Sequence, residues 1–388
     1  MKKLAIITTH PIQYYAPLFR LLHQRGNILI KVFYTAGSGD KYDPGFGKNV
    51  AWDIPLLENY PYEWAGNIAK KPGSNHFNGV ITPGLNKQVN NWQPDAILIF
   101  GWAYNGHLKL IRHFKKKVPL YFRGDSTLLN EPKGIKKTLK YFFLRWVYSH
   151  FDHAFYVGKN NKAYFLKYGL KESQLSFAPH AIDNERFEIP RTEEAKALRH
   201  ELKIGDDGIL ILFAGKFEPV KNLELLLSAF IKLNKPGVHL LMAGNGIDEI
   251  KLKKMAADSD ISSHIHFMDF KNQSYMPVLY QAADLFCLPS KSETWGLSIN
   301  EAMACGRAIL ASDRVGCAAD LVQAAENGYV FKTADVGHLE ECLQLLTKDK
   351  DLLAKFGKRS NSIIKDWNFE KTAIKIEEKL LQMTDKAR

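Results

Sequence analysis

The sequence predicts an α/β protein of two doubly wound, Rossmann-like domains, and three observations carry the prediction. Short, continuously apolar runs recur along the chain, among them LAIITT (4–9), DAILIF (95–100), GILILFAG (208–215) and VHLLMAG (238–244). Runs of that kind mark strands buried on both faces of a parallel sheet. Helical segments separate them, which is the alternation of α/β folds. At 388 residues the chain is too long for one small core, so the strands divide into two series.

In the first series, LAIITT precedes a helix near 14–25 and a strand at NILIKVF (27–33). Residues 36–92 are rich in Gly, Asn and Pro and read as long loops. DAILIF then leads to a helix near 105–115, VPLYF (118–122) to a helix near 134–149, and DHAFYV (152–157) to a helical KNNKAYFLKYG. In the second series, GILILFAG precedes a helix over 222–234. VHLLMAG, HIHFM (264–268), ADLFCLP (283–289) and RAILAS (307–312) supply further strands. The segment 183–190, ending in Pro190, is the expected boundary, giving domains at 1–185 and 186–367.

Composition narrows the classes. With 46% hydrophobic and 24% charged residues, the chain reads as a soluble globular protein. The apolar run after MKK is too short for a signal-peptide core, and no stretch approaches 18 apolar residues, so a cytoplasmic protein is expected. Cys287, Cys305, Cys317 and Cys342 form no C-x-x-C pair, which disfavours a zinc site or disulfide framework. The net charge of +12 is uneven: from Lys109 to Arg145 there are eleven Lys or Arg against Asp125 and Glu131. Within it, KGIKKTLKYFFLRWVYSHF alternates cations with bulky apolar residues. Two readings stay open for region 109–146: a buried amphipathic helix with a solvated basic face, or peripheral contact with an anionic membrane surface. Nucleic acid is not expected, because no nucleic-acid motif accompanies the charge.

Ligands of doubly wound sheets bind beyond the carboxyl ends of the strands. Three such places stand out. In FAGKFEPVKN, Gly215 ends a strand and Lys216 and Lys221 bracket a turn, where they can converge on one anion or merely face solvent. In MAGNGIDE, the Gly244-Asn-Gly step permits close backbone approach, though a tight turn explains it equally well. In SETWGLSINEAMACG, Thr294 or Ser298 is the expected cap of a helix running to about Cys305, with Gly306 after it. The first N–H groups, near Trp295, Gly296 and Leu297, would favour an anion. Glu293 lies before that helix and Glu301 within it, either as a ligand-binding acid or as an ordinary solvated one. A diphosphate beside Glu293 needs offsetting cations, and Lys216 and Lys221 provide them. A lysine ~4 Å from a phosphate oxygen contributes roughly 4 kcal/mol at an intermediate effective dielectric. The carboxylates are then left to accept from sugar hydroxyls. Asp258-Ser-Asp260 matches a D-x-D metal pattern but sits where turn-forming acids are common, so no metal site is expected.

These motifs, with YQAADLFCLPS, IHFMDF and ENGYVF in the same order, resemble the large family 4 (group 1) retaining glycosyltransferases. Glu293 and Glu301 match the family's paired-glutamate motif, and Lys216 and Lys221 its basic pair, with Lys where Arg is commoner at the first position. PHAIDNERF (179–187) resembles the family's domain-junction segment, with His180 in place of Asn. The N-terminal loop THPIQYYAPLF lacks the Gly-Gly pair of many members and resembles a subgroup starting His-Pro-Ile-Gln-Tyr.

The resemblance implies a GT-B fold, two Rossmann-like domains facing each other across a cleft, with a C-terminal helix near 368–388 crossing back to the first. It implies a retaining, metal-independent hexosyltransferase moving a sugar from a UDP- or GDP-sugar to a glycan or lipid-linked acceptor, in surface polysaccharide or glycolipid synthesis. No cofactor is implied beyond the nucleotide-sugar donor. Glu293, Lys216 and Lys221 are the implied catalytic residues. Gly215, Gly244, Phe270, Thr294, Trp295, Gly296, Leu297 and Glu301 would line the donor site, with Glu293 on the sugar, Glu301 on the ribose and Phe270 beside the base. His10, Gln13, Arg123, Asp125 and His180 are candidates for the acceptor side, a buried ion pair being the alternative for Arg123 and Asp125. An epimerase or hydrolase of the same fold, or a non-enzymatic nucleotide- or nucleic-acid-binding protein, are the competing readings.

Overall fold

A computed structural model describes residues 1–37, 41–43, 48–129, 131 and 134–383. The chain forms two compact units, one of residues 1–40, 55–180 and 369–388, the other of 41–54 and 181–368. The divisions thus fall at 180/181 and 368/369, and a segment of the early loop region goes with the second unit.

The first unit begins with β1 (Lys3–Thr8), α1 (Ala16–Arg25) and β2 (Leu29–Tyr34). Pro17 near the start of α1 presets its backbone, and Gly26, at φ +64°, ends it by donating its N–H to the His23 carbonyl. The hairpin strands β3 (Lys41–Asp43) and β4 (Lys48–Val50) belong to the other unit. The chain resumes with β5 (Tyr62–Trp64), α2 (Leu85–Trp92), β6 (Ala96–Phe100), α3 (Asn105–Phe114) and β7 (Leu120–Arg123). Then come α4 (Ile135–Tyr148), β8 (His153–Tyr156), α5 (Lys159–Lys167) and β9 (Leu175–Phe177).

Seven strands pair in the order β5-β2-β1-β6-β7-β8-β9, all parallel. Alternate residues serve opposite cores, as the strand period of two requires. Ala5, Ile7, Ile97 and Ile99 pack on one side with Leu110, Phe114, Leu144 and Val147. Leu4, Ile6, Val32 and Leu98 pack on the other, with α1 and the C-terminal helix through Ala373, Ile376 and Leu380. That helix is held to α1 by Arg25, whose guanidinium donates to the buried carboxylate of Glu377 at 2.9–3.0 Å.

The second unit contains α6 (Asn184–Glu188), α7 (Thr192–Glu201), β10 (Ile209–Ala214), α8 (Leu223–Leu233), β11 (Val238–Ala243), α9 (Glu249–Ala257) and β12 (Ile265–Met268). It continues with α10 (Met276–Ala282), β13 (Leu285–Leu288), α11 (Leu297–Ala304), β14 (Ala308–Ser312), α12 (Ala318–Leu321) and β15 (Gly328–Phe331). α13 (Val336–Leu346) and α14 (Lys350–Ile364) complete it, and α15 (Phe369–Leu381) is the C-terminal helix of the first unit. Six parallel strands run β12-β11-β10-β13-β14-β15. The order reverses between β10 and β13, so the loops after those two strands flank the crevice in which such sheets hold ligands. In the first unit the same reversal lies between β1 and β6.

Candidate functional site

The loop after β10 and the loop after β13 are joined at the second unit's reversal point. Residues Pro219–Lys221 form a single 3-10 turn, and Lys291 donates its backbone N–H to the Val220 carbonyl at 2.8 Å. This brings Lys221, 72 positions earlier in sequence, against Glu293, and the ammonium donates to the Glu293 carboxylate. Ser290 adds a hydroxyl donor 3.5 Å from the same oxygen. Both members of the ion pair keep about a fifth of their side-chain surface open to solvent, 22% for Lys221 and 21% for Glu293. The backbone of Glu293 is fixed from both sides, its N–H on the Arg314 carbonyl and its carbonyl accepting from the Gly316 N–H, at 3.1 Å each.

The loops after β11 and β12 and residues 51–54 are linked in turn to the loop after β10. Phe217 donates its N–H to the Asn245 carbonyl, and Gly244 donates to Met268, tying the ends of β10, β11 and β12 together. Gly244 has no room for a side chain, since a Cβ there would lie 1.9 Å from the Gly215 carbonyl oxygen. Asn245 spends its side chain on the next loop: its amide donates to Asp269 and Glu249, and its oxygen accepts the Phe270 N–H at 2.9 Å. Phe270 is thereby positioned, and its ring meets Trp52 edge-on with centroids 6.4 Å apart. Asp53 accepts from Ser274, and the Ala51 carbonyl accepts from the Asn272 amide at 2.7 Å, so residues 51–54 are pinned along this loop. Lys216 is half-buried beside Gly215 in the same group of loops.

The helix expected after Glu293 is α11, but its start differs from expectation. Neither Thr294 nor Ser298 caps it. Gly296 takes that position in the left-handed conformation, φ +100°, and no side chain bonds to the first turn. A Cβ at Gly296 would press on Val315 and Leu288 at 2.9 and 3.0 Å, so glycine is required on both grounds. The chain enters the helix without a side chain over its end, and first-turn N–H groups have no intrahelical acceptor. Gly306 follows the helix at φ +69°, as expected. The Trp295 side chain does not line an open site: it is buried, its indole N–H donates to Asn300 at 2.9 Å, and its ring meets Trp367 at a 35° tilt. Nor is Glu301 a solvated acid. It is 3% exposed, and its carboxylate accepts from the buried Tyr280 hydroxyl at 2.7 Å. The period of α11 hides this, because every residue from Ile299 to Ala304 is buried.

At the reversal point of the first unit a different cluster forms. Tyr15 sits above Phe100 with centroids 4.6 Å apart and lies parallel to the His180 ring at 6.2 Å. Burial, and then the Asp125 carboxylate, raise the Tyr15 phenol well above its ordinary range. Arg123 is 4% exposed and donates to the Ala178 and Pro179 carbonyls at 2.8 Å. Its guanidinium is therefore a structural clamp on the 178–179 backbone rather than an open binding group. Burial, with Arg123 nearby, lowers the His180 pKa to about 3, so the ring is neutral at physiological pH. Gln13 is buried, and the His10 ring lies 3.0 Å from the Thr9 hydroxyl. His107, not singled out by sequence, is fully buried with its Nδ1–H donating to the Gly101 carbonyl, and burial lowers its pKa to about 4.

Among the described residues no group of three or more His, Cys, Asp or Glu side chains is arranged to hold a metal ion. Asp258 and Asp260 are exposed at the turn after α9. The four cysteines are free and buried.

Residues 194–362 match the family described as glycosyl transferases group 1. A D-inositol 3-phosphate glycosyltransferase of Nocardia farcinica is 28% identical over 202 residues, 50% of this chain and 44% of that protein. The chain thus matches less than half the length of that relative. Two solved structures share the fold across the whole chain. Sucrose-phosphate synthase of Thermosynechococcus elongatus superposes with a TM-score of 0.77 at 19% identity, covering 98% of this chain and 99% of that one. Anabaena HepE in complex with UDP and glucose superposes with a TM-score of 0.73 at 17% identity, covering 99% and 100%. The chain has the GT-B fold, two parallel-sheet Rossmann-like domains.

Proposed function

We propose that this protein is a glycosyltransferase that moves a hexose from a nucleoside diphosphate sugar to an acceptor hydroxyl with retention of anomeric configuration and without a metal. The observation that carries the reading is the Lys221–Glu293 pair beside the uncapped start of α11. In the free protein the two charges satisfy each other. When a diphosphate arrives, Lys221 has a stronger anion to face, and Glu293 is released to accept hydrogen bonds from the sugar. As the glycosidic bond stretches, charge builds on the departing diphosphate. Lys216, Lys221 and the N–H groups near Gly296 and Leu297 are the groups that stabilise it. No second carboxylate stands ready as a nucleophile in this reading, so substitution proceeds on the face that the leaving phosphate vacates.

Phe270, braced by Asn245 and Trp52, takes the side of the base. Glu301, held by Tyr280, takes the ribose. Anabaena HepE is a fold relative solved with UDP and glucose, which supports a uridine nucleotide as the first donor to try. The Tyr15–Asp125–His180 cluster of the first unit is read as the acceptor side, for a glycan or lipid-linked acceptor of surface polysaccharide or glycolipid synthesis at the cytoplasmic face. A thermal-shift screen with UDP-, GDP- and ADP-sugars tests the donor, since a ligand that binds the native state raises the melting temperature. Turnover with and without acceptor then separates transfer from hydrolysis or epimerisation. No shift with any nucleotide sugar, and no turnover, would reject the reading.

A further inference from the structure

Helix α4 carries two apolar faces where a surface helix needs one. Leu144, Val147 and Tyr148 are buried in the first unit's core. On the opposite side Ile135, Leu139, Phe142, Phe143 and Trp146 are exposed, by 81%, 67%, 65%, 45% and 42%. At 3.6 residues per turn these five positions fall in one continuous stripe. The aromatic end of the stripe is ordered by ring contacts: Phe143 meets Trp102 and Trp146, and Trp146 meets His150. An apolar stripe of this size on a soluble surface marks an interaction site.

Charge says what covers it. From Gly134 to Phe151 there is no Asp or Glu, while Lys136, Lys137, Lys140 and Arg145 are present. On the helical wheel Lys136 borders the stripe on one side and Arg145 on the other. Glu131, just before the helix, is held by Lys167 and Tyr168 and also acts on Lys140, which lies away from the two borders of the stripe. Lys115 and Arg112, at the end of α3, act electrostatically on His150 and extend the basic border past Trp146. Among the described residues no helix is long and apolar enough to cross a membrane. Aromatic and aliphatic side chains flanked by lysine and arginine are the pattern of a helix lying in a headgroup layer.

We propose that α4 docks this protein on an anionic bilayer surface, its outward stripe entering the headgroup region and its flanking cations meeting lipid phosphates. This rests on the first unit alone and stands or falls separately from the donor reading. The test is co-sedimentation of the full chain with vesicles of phosphatidylcholine, and of equimolar phosphatidylcholine and phosphatidylglycerol. Binding is expected to the mixed vesicles, weaker at high salt, and little to phosphatidylcholine alone. The double variant Leu139→Ser/Phe142→Ser should lower the partition coefficient at least tenfold, from the apolar area withdrawn. Lys136→Ala and Arg145→Ala should each lower it about fivefold. All are surface changes, so an unchanged melting temperature verifies the fold. No pelleting with anionic vesicles, or equal pelleting of wild type and double variant, would overturn the proposal. So would a concentration-dependent dimer in sedimentation velocity that the double variant abolishes, since the stripe would then belong to a second copy.

Discussion

The two sheets offer the same place and fill it differently. In the second unit the strand ends around β10 and β13 are opened by Gly215, Gly244 and Gly296, with Lys216, Lys221 and Glu293 around the opening. In the first unit the corresponding position beyond β1 and β6 is closed by Tyr15, Phe100 and His180, with Arg123 spent on backbone carbonyls. Topology alone therefore does not make a phosphate site. What makes one is the absence of side chains where backbone must approach, together with cations placed to meet the charge. The first unit also has a left-handed glycine after β6, Gly101 at φ +81°, but its Arg123 is committed to backbone carbonyls.

The contrast can be broken by filling the opening. Gly244→Ala would force a Cβ into the Gly215 carbonyl at a left-handed backbone position. It should cost more than about 3 kcal/mol, read by urea unfolding, and remove any nucleotide-induced thermal shift. Next in size, Glu293→Ala should lower turnover by about 100- to 1000-fold while nucleoside diphosphate affinity changes little, because in the proposed reading the carboxylate faces the sugar. Unchanged turnover would remove Glu293 from the site. Lys221→Ala should weaken both turnover and nucleoside diphosphate affinity by roughly 10-fold or more, measured by isothermal titration calorimetry and initial rates.

Acid should sharpen the comparison from the other side. His107 and His180 have folded pKa values of about 4 and about 3 because burial disfavours the charged ring. In the unfolded chain a histidine titrates near 6.5, so below that pH the unfolded state binds more protons. Stability is therefore complete above about pH 6.5 and falls as the pH approaches 4. At pH 5 His107 alone would forfeit about 2 kcal/mol. Hydrogen exchange at pH 7.5 and 5 should show the first unit loosening more, since it also holds His153, lowered to about 4, whereas the second unit has His239, lowered to about 4, and His266, lowered by burial. The smallest effect is expected at the exposed turn: replacing Asp258 and Asp260 by Ala should leave turnover within about twofold, with or without a chelator.

The strands were legible because burial on both faces writes itself as continuous apolar runs, as in Ile209–Ala214, where all six residues are buried. The Lys221–Glu293 pairing was legible because a carboxylate near a diphosphate demands a cation. Other parts were not. Thr294 and Ser298 are good capping residues, but the tight packing of Gly296 on Val315 and Leu288 sets the helix start instead. Glu301 reads as a helix-surface acid until α10 is folded over it and Tyr280 supplies the hydroxyl. The outward stripe of α4 has the same composition as a core-facing helix, and only the packed structure tells its two faces apart. Trp52 and Phe270 meet across 218 positions of sequence, a distance over which local pattern carries no information.

That last contact bears on how proteins of this fold are taken apart and recombined. The second unit is not a continuous piece of chain, for Ala51, Trp52 and Asp53 bind its Asn272, Phe270 and Ser274 while being encoded before most of the first unit. A fragment beginning at Ala181 would carry the lysines and glutamates but leave the Phe270 loop without its brace. Domain exchange at that junction, in the laboratory or over generations, would carry the Lys221–Glu293 pair across while resetting whatever the loop around Phe270 selects.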